Sequence, residues 1–183
     1  MALLELITAP NPVLRQRSAP VSNIDDGIRQ LTADMLETMY AHRGMGIAAN
    51  MIGKALRIIV VDVQPEGNLE PMICINPEVI WSSDKLVTNE EASLSFPGIS
   101  ADIKRPDAIK LRFEDEMGVK QEIAADGWLA TVIQHEMDYL EGKTYLDHLS
   151  KMQRDRLLKK MQKYLKGMHS HGCADPHCGH DHH

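Results

Sequence analysis

Between Asp26 and His42 apolar residues recur at spacings of three and four, at Ile28, Leu31, Met35, Met39 and Tyr40. This predicts a helix with one buried face, ended by Gly44 and Gly46. Leu56–Val63 is dense in Ile and Val and reads as a strand. Further strands are expected at 71–80 and 108–115, the latter turning at Met117-Gly118 to pair with 119–124. A second helix is predicted over Gly127–Leu140, with Trp128, Val132 and either Ile133 or Met137 available to the core. A third is predicted over Ser150–Lys166, with Met152, Leu157, Leu158, Met161 and Leu165 as its apolar stripe. Strands grouped in the middle, with helices before and after, point to an α+β domain, and no internal repeat is seen.

Composition narrows the class. A chain of 183 residues, 43% apolar, can bury one substantial core and is short for two. The net charge of -6 argues against a broad nucleic-acid surface. No apolar run is long enough to span a membrane, and the N-terminus lacks a basic region followed by an apolar stretch, so a cytoplasmic protein is expected. Of the three cysteines, Cys74 lies in an apolar run and should pack as a small apolar residue. No disulfide framework is indicated.

From His169 the composition changes. The last fifteen residues hold six His, two Cys and two Asp. The chain is therefore divided into a domain over 1–166 and a tail over 167–183 that is expected to be flexible. His169, His171, Cys173, His177, Cys178, His180, His182 and His183 are ligand types suited to zinc, nickel or copper. The spacing lacks the two separated ligand pairs of a structural zinc site, so weak or multi-site metal binding is expected, with a polar tail or part of an affinity tag as the alternatives.

The run Gln134-His135-Glu136-Met137-Asp138-Tyr139-Leu140 bears on chemistry most directly. In His-Glu-x-x-His, two imidazoles one helical turn apart bind a cation and the glutamate handles protons of the metal-bound water. Here the second imidazole position is Tyr139.

Three stretches, Gly44-Met45-Gly46-Ile47-Ala48-Ala49-Asn50-Met51, Glu91-Ala92-Ser93-Leu94-Ser95 and Gln134 to Gly142, resemble in order the signature motifs of the peptide deformylases. The likeness extends to 11–15, Phe96-Pro97-Gly98, Arg105-Pro106 and Asp147-His148-Leu149-Ser150, covering residues 1–166. It implies the α+β deformylase fold, with antiparallel strands packed around a central helix that carries His135, and a C-terminal helix. It also implies an iron or zinc ion, action on formyl-methionine at the N-terminus of nascent chains, and a peptide cleft at Gly44, Gly46 and Ile47. Ribosome contact through the C-terminal helix is a family property that the acidic balance does not support.

At four positions the sequence departs from the family. Met51 stands where the family has Gln, Ala92 for Gly, Ser93 for Cys and Tyr139 for His, while His135 and the general acid and base Glu136 remain. A serine hydroxyl is a poor ligand where a thiolate is wanted, and a phenol with pKa near 10 is costly to ionise. In the family the Gln amide and the backbone N–H matching Leu94 stabilise the oxyanion. Met51 cannot donate, and losing such a donor costs about 10²–10³ in rate. The expectation is a deformylase-like protein, weak or inactive, with a degenerate core metal site that can still hold an N-terminal methionine segment.

Blander roles are expected for the surviving residues. Glu136 would be a buried carboxylate held by a neighbour, and His135 would bond Ser93 or Tyr139. A Ser93–His135 nucleophile oriented by Asp138 or Glu136 is a sharper alternative. Two further readings stay open: an active deformylase using His135, Tyr139, Glu136 and a tail residue, and a metal-handling protein acting through the tail.

Overall fold

The computed structural model describes residues 2–170, with side chains as far as Met168. The tail ligands from His171 onward lie outside the described residues, and the side chain of His169 is likewise not described. The chain forms an α+β domain. Helices α1 (Asp26–Ala41), α2 (Gly127–Leu140) and α3 (Lys151–Ser170) accompany strands β1 (Gly46–Ala48), β2 (Ile58–Val61), β3 (Met72–Ser82), β4 (Leu86–Ala92), β5 (Ser100–Pro106), β6 (Ala108–Glu114) and β7 (Lys120–Asp126). A five-stranded antiparallel sheet has the order β1-β2-β3-β6-β7, and β4-β5 form a separate hairpin. Helix α2 packs against both outer regions of the large sheet, at β1, β2 and β7, and against β5 of the hairpin. Among the described residues no helix is long and apolar enough to cross a membrane.

Helix α1 starts where Asp25 caps the Ile28 N–H. It ends one residue earlier than expected, and not at a glycine. Arg43 takes the left-handed conformation, and the N–H groups of Arg43 and Gly44 donate to the carbonyls of Tyr40 and Met39. The buried stripe is Met35 and Met39, with Ile28, Leu31 and Tyr40 partly covered. The predicted β2, β3, β6 and β7 are present, and β6 and β7 join through a turn at Asp115–Val119. Strand β3 is longer than expected and bulges after Ile75. There Asn76, at positive φ, bonds both backbone groups of Val21 and ties the entry segment to the sheet.

Three strands escaped the sequence reading. β1 is only three residues long, too short for a periodic signal. The hairpin β4-β5 is disguised by charge, because its inward face carries Asn89, Glu91 and Arg105 alongside Val87 and Ile103. Helix α3 runs four residues past the expected end, through Gly167, which costs a helix about 1 kcal/mol without breaking it. Met161 is buried in its stripe, but Met152 is exposed, as is Trp128 in α2. Cys74 is buried, as expected.

The C-terminus of α2 fixes the site helix. Gly142, at positive φ, and Lys143 donate to the carbonyls of Tyr139 and Asp138. Any side chain at Gly142 would strike the Arg15 carbonyl, and the next turn of chain from Arg15 bonds back through Ser18 N–H to Leu140. The helix carrying His135 is thereby anchored to the start of the domain.

Candidate functional site

A cleft of about 340 Å³ opens between β1, the end of β4 and α2. Gly44, Gly46, Met51, Ser93, Leu94, His135 and Glu136 line it, so most residues named from the sequence meet in one place. Tyr139 and Ile47 are fully buried and do not line it.

The 3.6-residue period of α2 sets His135, Glu136 and Tyr139 on its buried side. His135 does not bond Ser93 or Tyr139. Its Nδ1 lies 2.7 Å from Glu91 Oε2, and its ring stacks on Tyr145 at 5.4 Å. Glu91 in turn accepts two bonds from Arg105, at 2.6 and 2.9 Å. Burial alone would raise the Glu91 pKa, but the bonds from Arg105 and His135 and their charge hold it below the usual carboxylate range. An ionised carboxylate only accepts, so His135 carries a proton on Nδ1 and donates it to Glu91. Arg105 also reaches Asp138 at 2.9 Å, and His148 bonds the same Asp138 oxygen at 2.8 Å. Burial likewise works against ionised Asp138, and His148 and Arg105 overcome it, so its pKa is lowered.

Glu91, Arg105, Asp138, Tyr145 and His148 are therefore part of the site, although the sequence reading gave none of Glu91, Arg105, Tyr145 and His148 a role there. The signal was present: all but Tyr145 lie in segments that carried the family resemblance.

Ser93 and Tyr139 bond each other. Their hydroxyl oxygens are 2.6 Å apart, and the Ser95 N–H donates to Ser93 Oγ. Burial pushes the Tyr139 phenol well above its ordinary pKa, outweighing the Ser93 hydrogen bond that lowers it. Tyr139 is thus a neutral phenol. Ser93 and His135 share no hydrogen bond among the described residues: Ser93 is engaged by Tyr139, and Glu91 rather than Asp138 or Glu136 orients the imidazole.

The donor set does not fit an iron or zinc ion. His135 Nε2 is suitable, but the other two positions are neutral hydroxyls bound to one another, and one is buried where ionisation is strongly opposed. Among the described residues no group of three His, Cys, Asp or Glu side chains is arranged to hold a metal.

Met51 is also committed locally, its sulfur 3.4 Å from the Ala48 N–H it accepts from. The Leu94 N–H is in none of the hydrogen bonds of the described residues. One of the two expected oxyanion donors is thus available.

Glu136 differs from the expectation most. It is buried, but no neighbour holds it, since Oε2 has no partner among the described residues. A Cβ at Gly46 would lie 2.5 Å from Oε1, so glycine is what lets β1 pass over the carboxyl. Burial is the main cause that pushes the Glu136 pKa from 4.5 up to about 7; His135 opposes the rise and Glu91 adds to it. The folded form then holds the proton more tightly than the unfolded chain. This group's contribution is favourable at low pH and is lost as pH rises from 4.5 through 7. Glu136→Gln, neutral throughout, is expected to gain up to roughly 3 kcal/mol over the parent at pH 8, the gap closing toward pH 4.5. Urea unfolding at both pH values checks this, and a gap unchanged with pH would contradict it.

The geometry can be set beside known proteins. The polypeptide deformylase family model matches residues 3–155. A peptide deformylase-like protein of Rickettsia conorii is 45% identical over 173 residues, covering 92% of this chain and 94% of the relative. A peptide deformylase of Phenylobacterium zucineum is 44% identical over 167 residues, covering 91% and 99%. Among solved structures, a Legionella pneumophila peptide deformylase superposes with a TM-score of 0.87 at 33% identity, covering 92% and 98%. An Ehrlichia chaffeensis peptide deformylase in complex with actinonin gives 0.85 at 38% identity, covering 90% and 98%. With the fold, the cleft and the ordered motifs in agreement, this chain belongs to the peptide deformylase family.

Proposed function

We propose that this member of the family binds an N-terminal peptide segment in the cleft and has little or no deformylase turnover. The Ser93–Tyr139 hydrogen bond carries this reading. It joins the two positions at which the family resemblance implies metal ligands, and it leaves one imidazole there. The second support is Met51, whose sulfur accepts where the resemblance implies a donor.

The scaffold around the altered positions favours retained binding. Glu91 still orients His135, the cleft is open, and β1 is an edge of the five-stranded sheet, where an extended peptide can add its backbone.

The test is turnover of a formyl-Met tripeptide by full-length protein purified without oxygen and supplied in turn with ferrous iron, nickel and zinc. No turnover by folded protein is expected with any of the three. Chelator-sensitive turnover that disappears in Glu136→Gln would establish the other reading, a working deformylase with an unusual ligand set.

A further inference from the structure

The cleft is lined by Arg43, in the loop after α1, and by acidic side chains. On its floor are Glu91 and Glu136; Asp138 lies outside the lining and, with Glu91, takes the donors of Arg105. Glu136 receives nothing from it. Its Oε2 is buried and unpartnered, yet Glu136 lines the cleft. His135 and Ser93 also line the cleft. A buried polar atom without a partner is a cost that a bound ligand can remove.

From this we infer that the cleft selects peptides with a free, charged α-amino group over formylated ones. An ammonium brings three donors and a positive charge to the unpartnered Glu136 Oε2, and with the carboxyl ionised their pairing is a charge-assisted hydrogen bond. A formyl group brings a neutral carbonyl oxygen that needs donors. The Leu94 N–H is available, but the Met51 sulfur cannot donate, and one of the two hydroxyl protons of Ser93 and Tyr139 is spent in the bond between them. The wall above is apolar, with Met45, Leu94, Trp128 and Val132, which suits an apolar first side chain such as methionine. The ligand class is therefore the processed N-terminus, with a free amine on an apolar first residue.

This inference rests on the peptide-binding reading above, and the experiment separates the two. Met-Ala-Ala, formyl-Met-Ala-Ala and acetyl-Met-Ala-Ala are titrated calorimetrically into chelator-treated full-length protein, and each peptide is recovered for mass spectrometry. The free amine is expected to bind at least about tenfold more tightly than either blocked form. Glu136→Gln is expected to remove that preference. Equal affinities, tighter binding of the formylated peptide, or no binding by any of the three would overturn the inference. Because the first comparison varies the peptide alone, it stands even if the variant fails to fold. Loss of the formyl group during the titration would overturn the proposed lack of turnover, while the affinity of the acetylated peptide relative to the free amine would still decide the inference.

Discussion

Ser93→Cys combined with Tyr139→His is expected to turn the cleft floor into a metal site, raising iron or zinc content by about one equivalent per chain over the parent. The physical basis is donor type. A thiolate and two imidazoles suit these ions, whereas the parent offers one imidazole and two neutral hydroxyls that bind each other. Much of the surrounding support is already in place. Glu91 fixes the His135 ring, and Arg105 holds both Glu91 and Asp138, the residue before Tyr139. Replacing Tyr139 empties volume in a packed region, but the site remains beside an open cleft. Adding Met51→Gln to the double variant is then expected to raise formyl-peptide turnover by about 10²–10³, the worth of an oxyanion donor. Metal content after dialysis and single-turnover rates check the two steps separately. Parent and variants all carry the His/Cys-rich tail, so the difference between them reports on the core site. An unchanged metal content in a folded double variant would mean that more than ligand identity separates this floor from a metal centre.

Arg105→Met is expected to cost about 3–5 kcal/mol of folding stability, the range for removing one partner of a buried ion pair. Arg105 and Glu91 are both nearly inaccessible, and the guanidinium also serves Asp138. Without it Glu91 and Asp138 keep only the imidazoles of His135 and His148 as side-chain partners. The parent's carboxylates are held below their ordinary pKa, so their stabilisation is present above the unfolded value and is lost as pH falls through the folded one. The penalty of Arg105→Met should accordingly shrink toward acid. Urea unfolding at pH 7 and pH 4 measures it. A loss below about 1 kcal/mol at neutral pH, the scale of an exposed pair, would show that the network is solvated rather than buried.

How much of this was legible beforehand depended on the kind of residue. Helix α2 was predicted with the observed bounds from its apolar period, although Trp128, offered to the core by that period, is exposed. The strands β2, β3, β6 and β7 were predicted, β2 through its run of Ile and Val. The hairpin β4-β5 was not, since its inward face includes Arg105, and an arginine reads as a surface residue until its partners are known. The same residue hid part of the site. Sequence spacing could place Glu91 in a motif and His135 on a helix, but their 2.7 Å contact depends on how the hairpin folds over α2. Glu136 was misjudged for a related reason. A buried carboxyl is normally paired, and the strand that excludes water from Glu136, β1, offers it only a glycine.

The placement of the tryptophans lends the molecule an optical gauge of its own. The chain has two, with Trp81 exposed on β3, outside the cleft, and Trp128 at the cleft mouth, where its indole N–H donates to the Met45 sulfur at 3.2 Å. Both Trp128 and Met45 belong to the apolar wall that a first side chain would touch. Trp81→Phe leaves Trp128 as the sole indole emitter, so entry of an unlabelled ligand into the cleft becomes visible as a change in the protein's intrinsic fluorescence.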